Sequence, residues 1–175
     1  MANNYIGNYA PDEFTIVISK GNFVHRVTGF ADGTFISMDR LVPTSEAFQG
    51  IGRDNSFGRV KRSITAMNVT ITLSQFSPSN TVLQALQNAD ASVSDNSWVF
   101  SCTMRDPSGQ TVVSSSNAII AAPPSVTFSG TTESRDWNIY MFGSDLFVGG
   151  NMLMDAADVA AAAAAGYTVE EKWRQ

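Results

Sequence analysis

One histidine and one cysteine are all that this 175-residue chain offers to imidazole or thiol chemistry. His25 has no second histidine with which to build a metal site or a catalytic dyad, and a strand residue with its polar side outward is the plainer reading. Cys102 alternates with Trp98, Phe100 and Met104, which places the thiol on an apolar strand face as a small hydrophobe. A nucleophilic cysteine needs a polar or cationic pocket that stabilises its thiolate. Gly50-Ile51-Gly52 begins like a dinucleotide loop, but Asn55 stands where the third glycine belongs, with no strand before it and no helix after it. The acids Asp12, Glu13, Asp90, Asp95, Asp106 and Asp136 never reach the density of a calcium loop and read as turn and cap residues. Arg59, Lys61 and Arg62 form a small basic cluster, for which two readings stand: a solvated face, or a contact to an acidic neighbour. Trp98 and Trp137 sit in alternating patterns that suit a core better than a sugar-binding platform. No catalytic, cofactor or metal site is expected, and the chain reads as a structural protein, not an enzyme.

Composition points the same way. Apolar residues make up 43% and charged residues 15%, a low charged fraction against the usual quarter. A surface short of charge is suited to meeting other protein. The net charge is −5: residues 1–62 carry seven Lys/Arg against six Asp/Glu, and residues 63–175 carry four against ten. That balance argues against gripping nucleic acid, which takes clustered Lys and Arg. A lone cysteine precludes an internal disulfide. The first five residues, Met-Ala-Asn-Asn-Tyr, have neither a basic nor an apolar signal-peptide region, and Ala160 to Ala165 is too short to span a bilayer, so no membrane role is expected.

The elements behind these residues are mostly strands. Period-two alternation runs through Phe14, Ile16 and Ile18, through Met67, Val69, Ile71 and Leu73, and through Trp98 to Met104. Residues 24–30 and 34–41 flank Asp32-Gly33, which predicts a hairpin. Further strands are expected at 111–113, 118–121, 126–129 and 137–142, with a turn at Asp106-Pro107-Ser108-Gly109. Ser77-Pro78-Ser79-Asn80 supplies capping residues for a helix over 81–89, and an Ala-rich helix over 155–165 stops at Gly166. Residues 42–59 show neither period, yet carry Phe48, Ile51 and Phe57 among glycines; a long irregular loop of this kind is usually functional. One β domain over 1–150 and a partly helical C-terminal extension over 151–175 are the expected organisation.

Several stretches in order resemble the tail tube proteins of contractile-tailed bacteriophages. They are Val27-Thr28-Gly29-Phe30-Ala31-Asp32-Gly33 with Ile36 to Arg40, Thr72 to Asn80 followed by Leu83 and Leu86, Asp106-Pro107-Ser108-Gly109, Ala121-Ala122-Pro123-Pro124, and Arg135-Asp136-Trp137. The resemblance spans about residues 14–148. It implies a mainly β fold, an antiparallel β-sandwich or rolled sheet with a flanking helix, and hexameric rings that join into one continuous β-barrel tube. The implied partners are further copies of the chain, the tail sheath, the tape-measure protein, and baseplate and tail terminator proteins. DNA would pass through without specific binding, and the protein would be assembled in the host cytoplasm into the virion tail. The 42–59 loop would bridge successive rings, with Phe48, Ile51, Arg53, Phe57 and Arg59 as contact residues. A tube protein of a related injection or secretion system, or a carbohydrate-binding β-sandwich, is the alternative.

Overall fold

The computed structural model describes residues 6–49 and 57–175. Their chain order begins with β1 (Thr15–Lys20), β2 (Phe23–Arg26), β3 (Ile36–Arg40), β4 (Ser45–Gln49), β5 (Phe57–Lys61) and β6 (Met67–Ser74). Helix α1 (Ser79–Ala91) follows, then β7 (Phe100–Arg105), β8 (Val112–Ala122), β9 (Ser134–Phe142), β10 (Asp145–Phe147) and α2 (Ala156–Ala164). The residues fall into two compact units: a larger one of 16–103 and 113–145, and a smaller one of 6–15, 104–112 and 146–175.

The larger unit is built on one sheet in the order β2-β1-β7-β8-β9-β6-β3. The second sheet holds β4 and β5, so the described fold is mainly β and antiparallel, with helices beside the sheets, as expected. Strand β6 shows why alternation encodes this architecture. Met67, Val69, Ile71 and Leu73 are fully buried, while Asn68, Thr70, Thr72 and Ser74 point to the other face. All eight of its residues pair antiparallel with β9, whose buried Trp137, Ile139 and Met141 fall opposite Ile71, Val69 and Met67. Leu83 and Leu86 of α1 are buried with this apolar face, each contributing about 1.5–3 kcal/mol. The indole Nε1 of Trp137 donates to Asn80 Oδ1 at 2.9 Å, so the largest core side chain keeps its polar atom paired.

Four expectations change. Asp32-Gly33 does not turn a hairpin: β2 pairs back on β1, Lys20 opposite Phe23, through a two-residue turn in which Gly21 has φ +54°, whereas β3 pairs with β6. Residues 111–113 and 118–121 belong to one strand, β8, and residues 126–129 are in no strand. The 42–59 stretch is not without regular structure; β4 and β5 form an antiparallel hairpin, Ser45 opposite Lys61 and Gln49 opposite Phe57. His25 does not point outward: its neighbour Val24 is the exposed one, and His25 lies on the side of buried Ile18.

In the smaller unit, α2 begins at Asp155, whose Oδ1 accepts the Asp158 N–H at 2.8 Å. It ends at Gly166, φ +87°, where the Gly166 N–H reaches Ala163 O and the Tyr167 N–H reaches Ala162 O. That pair of bonds closes the last turn, and only glycine takes this φ without strain. Asn151 Nδ2 clasps the 106–109 turn through Asp106 Oδ2 at 3.1 Å and Ser108 O at 3.0 Å. Phe147 stacks on Tyr167 at 4.1 Å. The stretch after Gly150 is thus tied to residues 104–112 and to Phe147 within this unit.

Candidate assembly surfaces

The described residues hold no cluster of three or more His, Cys, Asp or Glu that suits a metal. Cys102 is fully buried, and burial pushes its thiol up to about 12, far from a reactive thiolate. His25 Nε2 lies 3.0 Å from Ser79 Oγ, a pairing that superficially resembles a nucleophile and its base. Ser79 is completely buried, however, and its Oγ already accepts the Thr28 N–H at 2.9 Å. The hydroxyl proton is then free to point at Nε2, which fits a neutral imidazole carrying its proton on Nδ1. Desolvation lowers the His25 pKa and favours that neutral form. Ser77 Oγ donates to Thr28 O, so both backbone groups of Thr28 are tied to the start of α1. This is a structural staple between β2 and α1.

The acids behave as expected in part. Asp95 accepts the Ser97 N–H, and the Ser97 hydrogen bonds hold its carboxyl below the usual range. Asp106 accepts from Ser108 within its turn. Asp136, by contrast, lies on β9 and accepts from Thr72 at 2.7 Å. Trp98 is half-buried with Lys20 Nζ 4.9 Å from its ring, and Trp137 is in the core; the two form no exposed aromatic platform.

Hairpin β4–β5 is the unusual surface. Every residue of β5 is exposed, Phe57 at 75% and Val60 at 43%. A two-stranded hairpin without a covered face is marginal in water. Its cross-strand ties are polar: Arg62 Nη2 meets Glu46 Oε2 at 2.9 Å, and Arg59 Nε donates to Ser45 Oγ at 2.6 Å. For Arg62 the acidic neighbour is therefore in its own hairpin. Of the expected contact residues, Phe57 and Arg59 lie on β5. Phe48 has its backbone in β4 opposite Gly58, with its side chain outside the described residues, as are Ile51 and Arg53.

Two further surfaces accompany it. Strands β2 and β3 end the sheet path, and each pairs on one side only among the described residues. On the face opposite the core, β3, β6 and β9 present Ser37 and Asp39, Asn68, Thr70 and Thr72, and Asp136, Asn138 and Tyr140, with no Lys or Arg among them. Thr70 and Asn138 are hydrogen-bonded at 2.8 Å across this face.

No family model matches the chain. Structural protein ORF10 of Pseudomonas phage KPP10 is 32% identical over 167 residues, which is 94% of this chain and 95% of that protein. The chain belongs to this family of phage structural proteins. The anti-feeding prophage cap (AFP tube terminating cap), solved by cryo-EM, is similar at 13% identity with a TM-score of 0.48, over 85% of this chain and 99% of that one.

Sequence reasoning missed Val60 and the Glu46–Arg62 tie, because a strand exposed along its whole length, as β5 is, has no hydrophobic period to detect. It also missed the Ser77/Ser79 staple, for which serines flanking a helix start were the available signal.

Proposed function

We propose that this chain builds the inner tube of a contractile phage tail, six copies to a ring, with rings stacked so that the β4–β5 hairpin of one ring seats against the next. The observation that carries the reading is that hairpin: paired backbone presenting Phe57 and Val60, with β5 exposed throughout. Burying such side chains contributes about 1.5–3 kcal/mol each, which a contact between copies supplies and an isolated chain does not.

The open edges β2 and β3 give the lateral contact. A free strand edge is a template for pairing, and closing a ring removes it. The cation-free face of β3, β6 and β9 is the surface suited to the channel. Thr70 is hydrogen-bonded to Asn138 and Thr72 to Asp136, and Asp39 and Asp136 repel phosphate, so genomic DNA would slide past without being held. The tape-measure protein would occupy the same channel during assembly, with the sheath outside and terminator and baseplate proteins at the ends. No chemistry is required of the chain in this role.

Negative-stain electron microscopy and sedimentation velocity of the purified full-length protein test the reading. Rings with a central channel, or tubes at high concentration, are expected. A strictly monomeric species at every concentration and salt would overturn it.

A further inference from the structure

The larger unit carries a groove of about 460 Å³ between α1 and the connection from β8 to β9. Gln84, Ala85 and Asn88 line one side, and Pro123, Pro124 and Val126 the other. Arg135 of β9 also lines it, and its Nη1 is buried without any hydrogen-bond partner. A buried, unpaired guanidinium N–H is costly, so its usual complement is a carboxylate. None of the described carboxylates forms an ion pair with Arg135, and the Phe128 ring, 84% exposed, lies 5.9 Å from its guanidinium. The groove therefore offers an apolar wall, an unpaired cation and an uncovered aromatic rim.

A segment with the opposite character lies at the start of the described chain. Ile6 is 94% exposed and Tyr9 58% exposed, on a stretch with no regular pairing. Asp12 and Glu13 follow, both exposed and neither in an ion pair among the described residues.

We propose that the groove beside Arg135 receives the arm of a second copy, with Ile6 and Tyr9 against Pro123, Pro124 and Val126, and with Asp12 or Glu13 on the Arg135 guanidinium. This rests on the self-assembly argued above, and it adds an arm-to-groove contact that neither the sheet edges nor the hairpin supplies. The contact is heterologous, so each copy gives one arm and accepts another, as closing a ring requires.

The test places the photo-cross-linker p-benzoylphenylalanine at position 9 in the full chain and mixes ¹⁴N- and ¹⁵N-labelled protein before irradiation. Mass spectrometry is expected to find cross-links between copies, joining position 9 to residues 80–88 or 123–126. Loss of a charge-assisted hydrogen bond should lower their yield by roughly tenfold or more in Arg135→Glu. Adding Asp12→Arg and Glu13→Arg should restore it. Arg135→Gln, which keeps the side chain's bulk and polarity, carries the test if Arg135→Glu proves unfolded by circular dichroism. Cross-links confined within one copy, cross-links to another surface, or yields unmoved by either Arg135 variant would overturn the proposal. Electron microscopy of the same samples keeps the two ideas apart. Tubes lacking the groove cross-link sink this contact alone, and groove cross-links in particles that are not tubes sink the tube reading alone.

Discussion

Removing one buried hydroxyl is expected to cost this protein more than any substitution on its hairpin. Ser79→Ala takes away the acceptor of the Thr28 N–H, at 2.9 Å, and the partner of His25 Nε2, at 3.0 Å, from a side chain with no solvent exposure. An unsatisfied N–H costs about 1–3 kcal/mol when buried, and Thr28 is exposed with its bond to Ser79 part-buried, so the loss falls at the low end of that range. His25 is only half-buried and can turn part of its ring to water, so its loss adds less. The sum is about 1–2 kcal/mol, or a fall in melting temperature of roughly 2–8 °C for a chain of this size. The same site sets a pH dependence. Burial holds the folded-state pKa of His25 below its usual 6.5, so the unfolded chain binds the proton more readily. The contribution is present in full above about pH 6.5 and is lost as the pH falls through the lower folded value. Urea unfolding of the full chain between pH 5 and 8, for the natural sequence, Ser79→Ala, His25→Gln and the double variant, reads both effects. His25→Gln should flatten the loss of stability below pH 6.5, and the double variant should cost less than the sum of the singles. A Ser79→Ala change that costs under about 0.5 kcal/mol, or strict additivity in the double variant, would refute the staple.

Three further outcomes are expected. Cys102, fully buried with its thiol pushed up to about 12, should react with a thiol probe at pH 8 only as fast as the protein opens, and at full speed in denaturant; rapid labelling of native protein would put its strand on the wrong face. Phe57→Ser should leave the unfolding free energy of the unassembled chain within about 0.5 kcal/mol, because the side chain is 75% exposed, yet weaken stacking of rings in sedimentation; unchanged stacking would remove the hairpin from the interface. Asp155→Ala deletes the cap on α2 and should cost that helix about 1 kcal/mol. Hydrogen exchange at the Ala161 to Ala164 amides would then rise by roughly five- to tenfold, and unaltered protection would show the cap to be idle.

Strands that bury one face were readable because their period is set by the same burial that forms them. Phe14, Ile16 and Ile18, the 67–73 alternation, and Phe100, Cys102 and Met104 all turned up buried on one side. Where no face is buried the signal vanishes. Strand β5 is exposed throughout, so Phe57-Gly58-Arg59-Val60-Lys61 carries no alternation, although its pairing with β4 is complete over five residue pairs. Strand partners were less legible than strands. Asp32-Gly33 carries a turn signal, and Gly33 does take φ +86°, but β3 pairs with β6, thirty residues on. Turn chemistry is local and pairing is not, so a correct turn can still be assigned to the wrong hairpin. His25 was turned the wrong way for a related reason: in Phe23-Val24-His25-Arg26 the pattern does not say which neighbour is inside, and a one-residue slip exchanges the two faces.

The serines at the start of α1 show where local reading stops. Ser77 and Ser79 were legible as capping residues, and Ser77 Oγ does accept the Ser79 N–H at 3.2 Å. Pro78, not a serine, occupies the cap position, and it makes no side-chain bond. The larger share of the serines' work is tertiary, because their hydroxyls pair the backbone N–H and C=O of Thr28, about fifty residues earlier. Gly29 makes this approach possible. It takes φ +74°, and a β-carbon there would lie 2.7 Å from Ser77 Cβ, closer than real contacts allow. Three small residues fifty positions apart therefore specify one junction, and each has an adequate local explanation that hides it: a turn glycine and two capping serines. The candidate assembly surfaces share this property in reverse. Phe57 on the hairpin and Arg135 beside its groove look unfinished in a single chain, one uncovered and one with a buried N–H unpaired. Where the residues within one chain leave such groups incomplete, the physically consistent place to seek their partners is a neighbouring copy.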